Sequence, residues 1–482
     1  MKRYKYITIA FFLLCGMITL FSCTKNLTDA ETFIISGLVT LDAESDFSDI
    51  TVALYAPVTP DTAIANTYKR FPAVGFELTQ AVLFDHRQAN PVYTTKTDKE
   101  GKYNFSGLPG GEYNLVALKE GFGWRYLYNI NNNTQPEAIK LLPEIEVQGT
   151  LDLYTIWDAY QHVIVKGDVI VPDGGLLMID KGVVVRFFGY YGFEVRGQIK
   201  TNGDAVSFIV FTGSTLMNET LVWNGIRFSG TDNLTFNYIK LGNSTTGISF
   251  KDAKNIQFNN SYLFKNKYEA FSASQCNNVN FTNNICVDNE KGLFIQSCES
   301  VLVEKNIFID NKEGFENEAT AAQIKNNYLA NSEVGLHVQF RPSPIIQNNQ
   351  FSNNGKGMFC AGSDPEVVNN NFYKNIQAIN LGIEYNSTDS QPPVNHNNFL
   401  ANDYTFFING YPGSTNIKDI DGKNNYWGTV IIEDITRLIW DKYDITTLPL
   451  YIGEVFYQPF ENLLFLLLVF KVIVEIITVI IP

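Results

Sequence analysis

Two aspartates and a lysine recur at one position of a repeat in the second half of the chain. Asp288 and Asp310 occupy this position in successive repeats, and Lys265 occupies it one repeat before Asp288. If the repeats stack, the two carboxylates lie about 5 Å apart. Like charges at that distance raise a pKa or jointly hold Ca²⁺. Lys265 could neutralise Asp288 instead, and a solvated acidic edge is the alternative without chemistry. Asp288, Asp310 and Lys265 are therefore a candidate ligand or cation site, with Ca²⁺ as the one suggested cofactor.

The repeat that would position these residues returns to the same pattern about every twenty-two residues. An apolar residue opens the frame, and three positions later there is always an asparagine. The apolar positions are Leu263, Cys286, Phe308, Tyr328, Phe351, Phe372 and Phe399, and the asparagines are Asn266, Asn289, Asn311, Asn331, Asn354, Asn375 and Asn402. A second asparagine mostly stands two positions before the apolar residue, as at Asn284, Asn306, Asn326, Asn349, Asn370 and Asn397. We expect each asparagine column to form a hydrogen-bonded ladder at a turn.

The period favours a solenoid of short strands. The segments between turns are too short for helices, and their regular spacing does not fit a sandwich. Stacked turns would place like residues over one another, so that apolar columns fill the interior. A small residue also recurs once per turn, as at Gly292, Gly314 and Gly335. Cys276 and Cys298 share one register and could form a disulfide or a stack of reduced thiols, the commoner outcome.

These repeats resemble the right-handed parallel β-helix proteins of the pectate-lyase-like superfamily. The rung Trp223-Asn224-Gly225-Ile226-Arg227-Phe228 and the motif Asn424-Asn425-Tyr426-Trp427-Gly428 are similar to a common rung and a last-coil motif of those proteins. The resemblance covers about residues 150 to 460. It implies action on, or binding of, acidic polysaccharides. However, the sequence has no Asp-Asp pair and no Gly-His-Gly, and Asp364-Pro365-Glu366 lacks the histidine of alginate epimerases.

The segment before the repeats has the turns and alternation of a small β-sandwich. Strand-like runs at 33–40 and 50–55 precede the series Thr97, Asp98, Gly101, Tyr103, Phe105, Leu108, Pro109, Gly111 and Tyr113. That series resembles the signature of the carboxypeptidase regulatory-like domain, a transthyretin-like sandwich. The resemblance implies a non-catalytic spacer, a folding module or a sugar-binding module.

The N-terminus reads as an export signal. Lys2, Arg3 and Lys5 precede an apolar run too short for a membrane span, and the run stops at Cys23. This resembles the lipobox of bacterial lipoproteins, which implies a lipid on Cys23. By the same resemblance, Thr24, where an aspartate could stand, implies delivery of the lipoprotein to the outer membrane. An ordinary signal peptide with an incidental cysteine is the alternative. Near the other terminus, the apolar run at 463–481 could be a membrane span, a cap on the solenoid or an aberrant end.

Composition limits the class of protein. Apolar residues make up 45% and charged residues 18%, which fits a folded protein, and the net charge of −14 argues against nucleic-acid binding. The four histidines are scattered and no Cys-x-x-Cys pair occurs, so we expect no histidine or zinc-ribbon metal site.

The sequence therefore predicts an all-β protein, a right-handed parallel β-helix solenoid preceded by a small β-sandwich. We expect a signal peptide at 1–22, a linker at 23–30, the sandwich at 31–145, the β-helix at 146–460 and an apolar tail at 461–482. The favoured function is a non-catalytic cell-envelope lipoprotein that binds a glycan or another partner. The alternatives are a polysaccharide lyase or hydrolase, and a structural or adhesive spacer.

Overall fold

The computed structural model describes residues 32–134, 136–214, 222–382, 390–409, 419–444 and 453–461. Cys23, the leader and the apolar run at 463–481 lie outside these residues. Within the described ranges, no helix has the length and apolar character needed to cross a bilayer. Contacts divide the described residues into two units: those up to 57, 91–119 and 125–141 form one, and those at 58–90, 120–124 and from 142 onward form the other.

The first unit is a pair of small β-sheets. Its strands are β1 (Thr32–Leu41), β2 (Thr51–Tyr55), β3 (Tyr93–Lys96), β4 (Lys102–Pro109), β5 (Tyr113–Leu118), β6 (Arg125–Ile130) and β7 (Ile139–Leu141). One sheet has the order β4-β1-β7 and the other β3-β2-β5-β6. The strands alternate, so that Ile35, Val39, Tyr103 and Phe105 are buried while their neighbours along the chain are more exposed.

The motif that predicted this unit forms a tight turn. The Lys102 amide donates to the Asp98 carboxylate at 2.8 Å, and Gly101 adopts a φ of +83°. Only glycine tolerates that conformation cheaply. The Thr97 hydroxyl accepts a hydrogen bond from the Ile50 amide at 3.0 Å and ties the turn to the start of β2.

The second unit is a parallel β-helix with three sheets, lettered A, B and C. Strands β8 (Ile145–Thr150) and β10 (His162–Val171) begin the coil, and the first half of β10 pairs with sheet A while its second half pairs with sheet B. From β11 to β40, each turn contributes one strand to C, then to A, then to B, and all neighbours pair in parallel.

The strands of each sheet follow in chain order. Sheet A contains β12 (Val184–Phe187), β15 (Ile209–Gly213), β18 (Ile239–Gly242), β21 (Tyr262–Phe264), β24 (Ile285–Val287), β27 (Ile307–Ile309), β30 (Tyr328–Ala330), β33 (Gln350–Ser352), β36 (Asn371–Tyr373) and β39 (Asn398–Leu400). Sheet B contains β13 (Gly192–Val195), β16 (Gly225–Ser229), β19 (Ile248–Lys251), β22 (Glu269–Ser274), β25 (Lys291–Gln296), β28 (Glu313–Glu318), β31 (Val334–Gln339), β34 (Lys356–Ala361), β37 (Gln377–Leu381), β40 (Tyr404–Ile408) and β42 (Ile439–Trp440). Sheet C contains β9 (Tyr154–Trp157), β11 (Leu176–Asp180), β14 (Gln198–Asn202), β17 (Asp232–Asn237), β20 (Lys254–Asn259), β23 (Asn277–Thr282), β26 (Glu299–Glu304), β29 (Gln323–Lys325), β32 (Ile345–Gln347), β35 (Glu366–Val368) and β38 (Val394–Asn395). Strands β41 (Ile420–Asp421) and β43 (Val455–Phe456) pair with each other near the end of the coil.

Stacked side chains fill the coil, as the repeat predicts. In sheet A the rings of Phe351 and Phe372 stack at 4.6 Å, and those of Phe372 and Phe399 at 5.1 Å. These columns are inaccessible to solvent and form one continuous core along the axis. The predicted fold class, a β-helix preceded by a small β domain, is confirmed.

The asparagine ladder forms with one change of residue. The amide of Asn289 donates to the side chain of Asn311 at 3.0 Å, and Asn354 makes the same bond to Asn375. In the turn between them the ladder position belongs to Ser332, whose amide donates to Asn354 at 3.0 Å. Placing Asn331 in the ladder was therefore wrong; it is exposed on the outer side of the turn.

The cause is a register choice in that turn. Phe308 pairs with Leu329, so that Leu329 and not Tyr328 enters the interior. The same shift puts Asn327 in place of Asn326 in the second ladder, where it accepts from the Asn306 amide at 2.9 Å. The asparagine pattern alone allows two alignments, with either Tyr328 or Leu329 in the interior column. Leu329 is favoured because it fills the column without burying the hydroxyl that Tyr328 would carry there.

The small residues lie at a corner where successive turns approach closely. A Cβ on Gly314 would lie 2.5 Å from the carbonyl oxygen of Gly335 in the next turn, and one on Gly335 would lie 2.6 Å from that of Gly357. The column needs small residues because stacked backbones leave no room there.

The cysteines of the coil are buried free thiols. The amide of Cys276 donates to the Cys298 sulfur at 3.3 Å, and neither residue forms a disulfide. The stack of reduced thiols is thus the alternative that the structure adopts.

Residues 58–90 belong to the same unit as the β-helix. From the sequence, they were predicted to lie within the sandwich segment. They form α1 (Thr62–Arg70), α2 (Gln80–Leu83) and a short 3₁₀ helix at His86–Gln88. We call them the insert. Its buried residues pack on the outer side of sheet A, and the joint cluster contains Ile64, Phe71, Val74, Leu78, Val82, Ile285, Val287, Ile307, Ile309 and Tyr328.

The last turns are closed by the motif around Trp427. Asn425 ends the second ladder by accepting from the Asn397 amide at 2.8 Å. Trp427 is buried against Phe399, with ring centroids 5.6 Å apart. Helix α3 (Ile432–Arg437) follows and leads into β42.

Candidate functional site

A cavity of about 220 Å³ lies between the insert and the outer side of sheet A. We call it the flank cavity. The insert contributes Asp61, Ile64, Val82, Leu83, Asp85, Arg87 and Gln88, and the β-helix contributes Val210, Thr212, Lys240, Tyr262, Phe264, Lys265, Val287, Asp288 and Asp310. The three residues that the sequence singled out, Lys265, Asp288 and Asp310, therefore lie together at one site.

Those three residues occupy the same turn position in successive coils and form the exposed mouth of the flank cavity. Their φ angles are +52°, +56° and +55°. Aspartate tolerates this left-handed conformation better than most residues, so the turn geometry alone is one reason for aspartate here.

The mouth is acidic. Burial raises the pKa of the Asp310 carboxyl, the neighbouring Asp288 and Asp61 charges raise it further, and a hydrogen bond with Asn331 opposes them. The direction is upward, but burial rather than the neighbouring carboxylate is its largest cause. Asp61 is also the N-cap of α1. Its carboxylate accepts a hydrogen bond from the Ala63 amide at 2.8 Å, and this bond fixes its position.

The floor of the flank cavity is cationic. Lys240 on β18 is only 8% exposed. Within the part of the chain that the structure describes, its ammonium makes no hydrogen bond or ion pair, and the Phe264 ring lies 5.8 Å away. Burial lowers the pKa of Lys240 to about 8, with Asp85 opposing and Arg87 assisting. A buried charge without a partner is costly, and that is the unusual feature of this site.

Asp85 and Arg87 line the flank cavity on the side of the insert. Their ion pair has a separation of 2.7 Å, and the Arg87 guanidinium also donates to the Gly213 carbonyl at 3.0 Å. Burial acts to raise the pKa of Asp85, yet the bonds from Arg87 hold it below its usual value. Asp85 therefore stays ionised and is already paired with Arg87, which leaves Lys240 as the cation at the floor, while Lys265 lies at the mouth.

A second cluster lies on the outer side of sheet B. Glu313 and Glu316 on β28 meet His337 on β31, with the three ligand atoms within 4.8 Å of one another. Glu316 and His337 are 4% and 5% exposed. Lys291 bonds to Glu316, and Gln339 donates to the other carboxylate oxygen of Glu316 at 2.6 Å. We call this the carboxylate–histidine cluster.

Charge and burial compete in that cluster. Burial raises the pKa of Glu316 despite its bond from Lys291. Burial also acts to raise the pKa of Glu313, but the contact with His337 lowers it. The two carboxyls thus have different proton affinities although they share one strand.

Two further histidines belong to the packing. The rings of His86 and His162 lie 4.8 and 4.4 Å from the Trp124 ring. Burial lowers the pKa of His86 to about 4, and that of His162 falls well below its usual value for the same reason. Both are neutral at pH 7.

Sequence reasoning missed Lys240, Arg87 and the pairing of Glu316 with His337. Two signals were present. Lys240 interrupts an apolar strand between Ile239 and Leu241, and Glu316 and His337 occupy equivalent positions in successive repeats. Nothing in the sequence indicated that the insert would close over Lys240.

Comparison with protein-family models gives two matches. Residues 195–410 match a family described as periplasmic copper-binding protein (NosD). Residues 33–145 match the third transthyretin-like domain of NOMO. The periplasmic description supports export to the cell envelope. No curated protein matches the chain.

Three solved structures with similar chains are two alginate or mannuronan epimerases and a polygalacturonase, all at low sequence identity. The A-module of the Azotobacter vinelandii mannuronan C-5 epimerase AlgE6 is 13% identical, with 59% of this chain and 84% of that chain covered and a TM-score of 0.30. The periplasmic alginate epimerase AlgG is 11% identical, with 63% and 78% covered and a TM-score of 0.31. A family 28 exopolygalacturonase from Yersinia enterocolitica is 10% identical, with 80% and 88% covered and a TM-score of 0.36.

The chain thus joins a transthyretin-like domain to a parallel β-helix whose repeats over residues 195–410 match those of the periplasmic NosD family.

Proposed function

We propose that the protein is a cell-envelope lipoprotein, attached to the outer membrane through Cys23, that binds an acidic sugar in the flank cavity without converting it. The observation that carries this proposal is the buried ammonium of Lys240, which lines the cavity floor without an ion-pair partner among the described residues. An anionic ligand group would supply the missing partner.

A uronate residue fits the distribution of charge. Its carboxylate would pair with Lys240 at the floor, and its hydroxyl groups would donate to the Asp288 and Asp310 carboxylates at the mouth. The Phe264 ring lines the same cavity and offers an apolar surface to a sugar ring.

The size of the cavity limits the ligand. Pockets for drug-sized molecules have volumes of about 300–1,000 Å³, whereas the flank cavity has about 220 Å³. The cavity therefore suits a single sugar unit, such as the end of an acidic polysaccharide, better than the middle of a chain.

The test is calorimetric titration of the mature protein with galacturonate, glucuronate and mannuronate oligosaccharides, beside their neutral counterparts. We expect binding of at least one acidic series and a loss of at least tenfold in affinity for Lys240→Met. Lys254→Met is the matched control, because Lys254 is exposed on β20 and lies outside the cavity. Equal affinity of wild type and Lys240→Met, or preference for the neutral sugars, would contradict the proposal.

A polysaccharide lyase is the alternative that one observation favours. A lysine with a pKa of about 8 is partly neutral near physiological pH and could remove a proton from a uronate. Ultraviolet absorbance of the unsaturated product and a reducing-end assay, each with and without Ca²⁺, distinguish binding from turnover. Turnover that disappears in Lys240→Met or Asp288→Ala would replace the binding proposal by the enzymatic one.

A further inference from the structure

We propose that Glu313, Glu316 and His337 form a binding site for a divalent transition-metal ion on the outer side of sheet B. This site is separate from the flank cavity and shares none of its residues. Its failure would therefore leave the sugar-binding proposal untouched, and the reverse holds as well.

The geometry is close to that of a metal tripod. The Nδ1 atom of His337 lies 3.5 Å from Oε2 of Glu313 and 4.0 Å from Oε1 of Glu316. Metal–ligand bonds of about 2.0–2.2 Å place neighbouring ligands of a tetrahedral ion about 3.3–3.6 Å apart. The Glu313–His337 pair already has that separation, and the Glu316–His337 pair needs to close by a few tenths of an ångström. All three ligand atoms, including the Glu313–Glu316 pair, lie within 4.8 Å of one another.

The backbone holds these ligands in place. Glu316 pairs directly with His337 in the parallel ladder between β28 and β31, so their side chains point to the same side of the sheet. Glu313 lies at the start of the same strand. Ligands on adjacent rigid strands need little reorganisation when an ion binds.

The surroundings hold polar atoms that the protein leaves unsatisfied. Gln339, which donates to Glu316, is 7% exposed, and its own Oε1 is buried without a hydrogen-bond partner among the described residues. Buried amide oxygens normally have a partner. Oε2 of Glu313, one of the proposed ligand atoms, is likewise buried without a hydrogen-bond partner among the described residues, and a bound ion would supply one. This is the second indication of a ligand here.

Lys291 is the competitor for this position. Its ammonium donates to Oε2 of Glu316, so the cluster already contains one positive charge. A metal ion would compete with that ammonium for the same carboxylate. Only an ion that binds nitrogen and oxygen ligands tightly can occupy the site, because a weakly bound cation would not displace the Lys291 ammonium from Glu316.

The ligand set selects the class of ion. One imidazole and two carboxylates suit Zn²⁺, and also Mn²⁺ with lower affinity. Ca²⁺ prefers a shell made entirely of oxygen ligands, and an imidazole provides none. We therefore expect Zn²⁺ to bind more tightly than Mn²⁺ and Ca²⁺ to bind negligibly.

The experiment is calorimetric titration of the chelator-treated mature protein with Zn²⁺, Mn²⁺ and Ca²⁺. We expect one equivalent of Zn²⁺, with affinity lowered at least tenfold in Glu316→Gln and in His337→Gln. Glu318→Gln is the matched control, because it removes the same charge from the same strand outside the cluster. Co²⁺ substitution gives an independent reading, since its visible spectrum reports the imidazole ligand and should change in His337→Gln.

Lys291→Met separates a metal site from a purely structural ion cluster. Removal of the competing ammonium should tighten Zn²⁺ binding severalfold, whereas a merely structural lysine would leave it unchanged. This variant also decides the matter if Glu316→Gln does not fold. The proposal is overturned by wild-type protein that binds no Zn²⁺, by Zn²⁺ binding that survives in both Glu316→Gln and His337→Gln, or by preferential binding of Ca²⁺.

Discussion

Single residues set the properties of the flank cavity, and Lys240 is the clearest case. The Lys240 residue is 8% exposed, and its ammonium lacks an ion-pair partner among the described residues. The folded chain therefore binds the Lys240 proton less tightly than the unfolded chain does, because burial lowers the pKa from 10.5 to about 8. Retaining such a group costs stability, and a ligand is a physical reason to retain it.

The stability of the folded protein should depend on this proton. Between about pH 8 and pH 10.5 the unfolded chain holds the proton and the folded chain does not, so stability contributed by this group rises with pH in that window. Below pH 8 both states are protonated and the full penalty applies. At about 1.4 kcal/mol for each tenfold change in the ionisation constant, that penalty is about 3 kcal/mol.

Lys240→Met should consequently stabilise the ligand-free protein at pH 7 by about 1–3 kcal/mol and flatten its pH dependence above pH 8. Urea denaturation of wild type, Lys240→Met and the exposed control Lys254→Met at pH 7 and pH 10 measures the effect. A variant less stable than wild type at pH 7 would contradict the assignment of a buried, unpaired ammonium.

The register of the asparagine ladder gives a second prediction for single residues. Asn354 is 1% exposed and bonds to the turns on both sides, whereas Asn331 is exposed at a φ of +55°. Asn354→Gly should cost about 2–4 kcal/mol, because it leaves buried groups unpaired.

Asn331→Gly is the matched substitution and should change stability by less than about 0.5–1 kcal/mol, because glycine adopts a positive φ without strain. Chemical denaturation of the two variants decides between the registers. A larger loss for Asn331→Gly than for Asn354→Gly would restore Asn331 to the ladder.

At the scale of elements, the insert and sheet A depend on each other. Strands β24 and β27 are short, and all of their side chains are apolar: Ile285, Cys286, Val287, Ile307, Phe308 and Ile309. One side of each strand faces the core, so the other side would be exposed without a cover. Helix α1 and the residues after it provide that cover, and in doing so they form one wall of the flank cavity.

Val74→Asp should detach the insert while the coil persists, because Val74 is wholly buried in the shared cluster and a carboxylate cannot remain there unpaired. We expect faster proteolysis within residues 58–90, binding of a hydrophobic dye and loss of uronate affinity, with the β-sheet circular dichroism retained. Ala73→Asp is the control at an exposed neighbour. An intact insert in Val74→Asp would show that the packing is weaker than the structure implies.

At the scale of the whole molecule, the proposed function depends on attachment to the membrane. Cys23 lies outside the described residues, and the proposal of a lipid there rests on the sequence. Cys23→Ser should abolish incorporation of radiolabelled fatty acid and move the protein from the membrane to the soluble periplasmic fraction. Cys15→Ser is the control within the apolar run. Membrane retention of Cys23→Ser would instead point to the apolar run at 463–481 or to a partner.

The sequence by itself determined the coil. Its repeat fixes which residues stack, since strand neighbours in a parallel ladder share one register, and the corner glycines and both asparagine columns follow from that. It also placed Lys265, Asp288 and Asp310 on one edge. The register of the turn from Phe308 to Leu329 was predicted one residue out. Asn326–Asn327 and Asn331–Ser332 each fit two alignments, and the packing of Leu329 rather than Tyr328 in the interior decides between them.

Only the tertiary structure decided what lies against the coil. Residues 58–90 belong to the sandwich segment in sequence, yet they pack on strands that come far later in the chain. A repeat encodes contacts between its own turns, whereas the docking of an insert depends on surface complementarity that no period records. The floor at Lys240 therefore became visible only in three dimensions. The meeting of Glu316 with His337 is a contact between successive turns, and the repeat pattern already placed the two residues at equivalent positions.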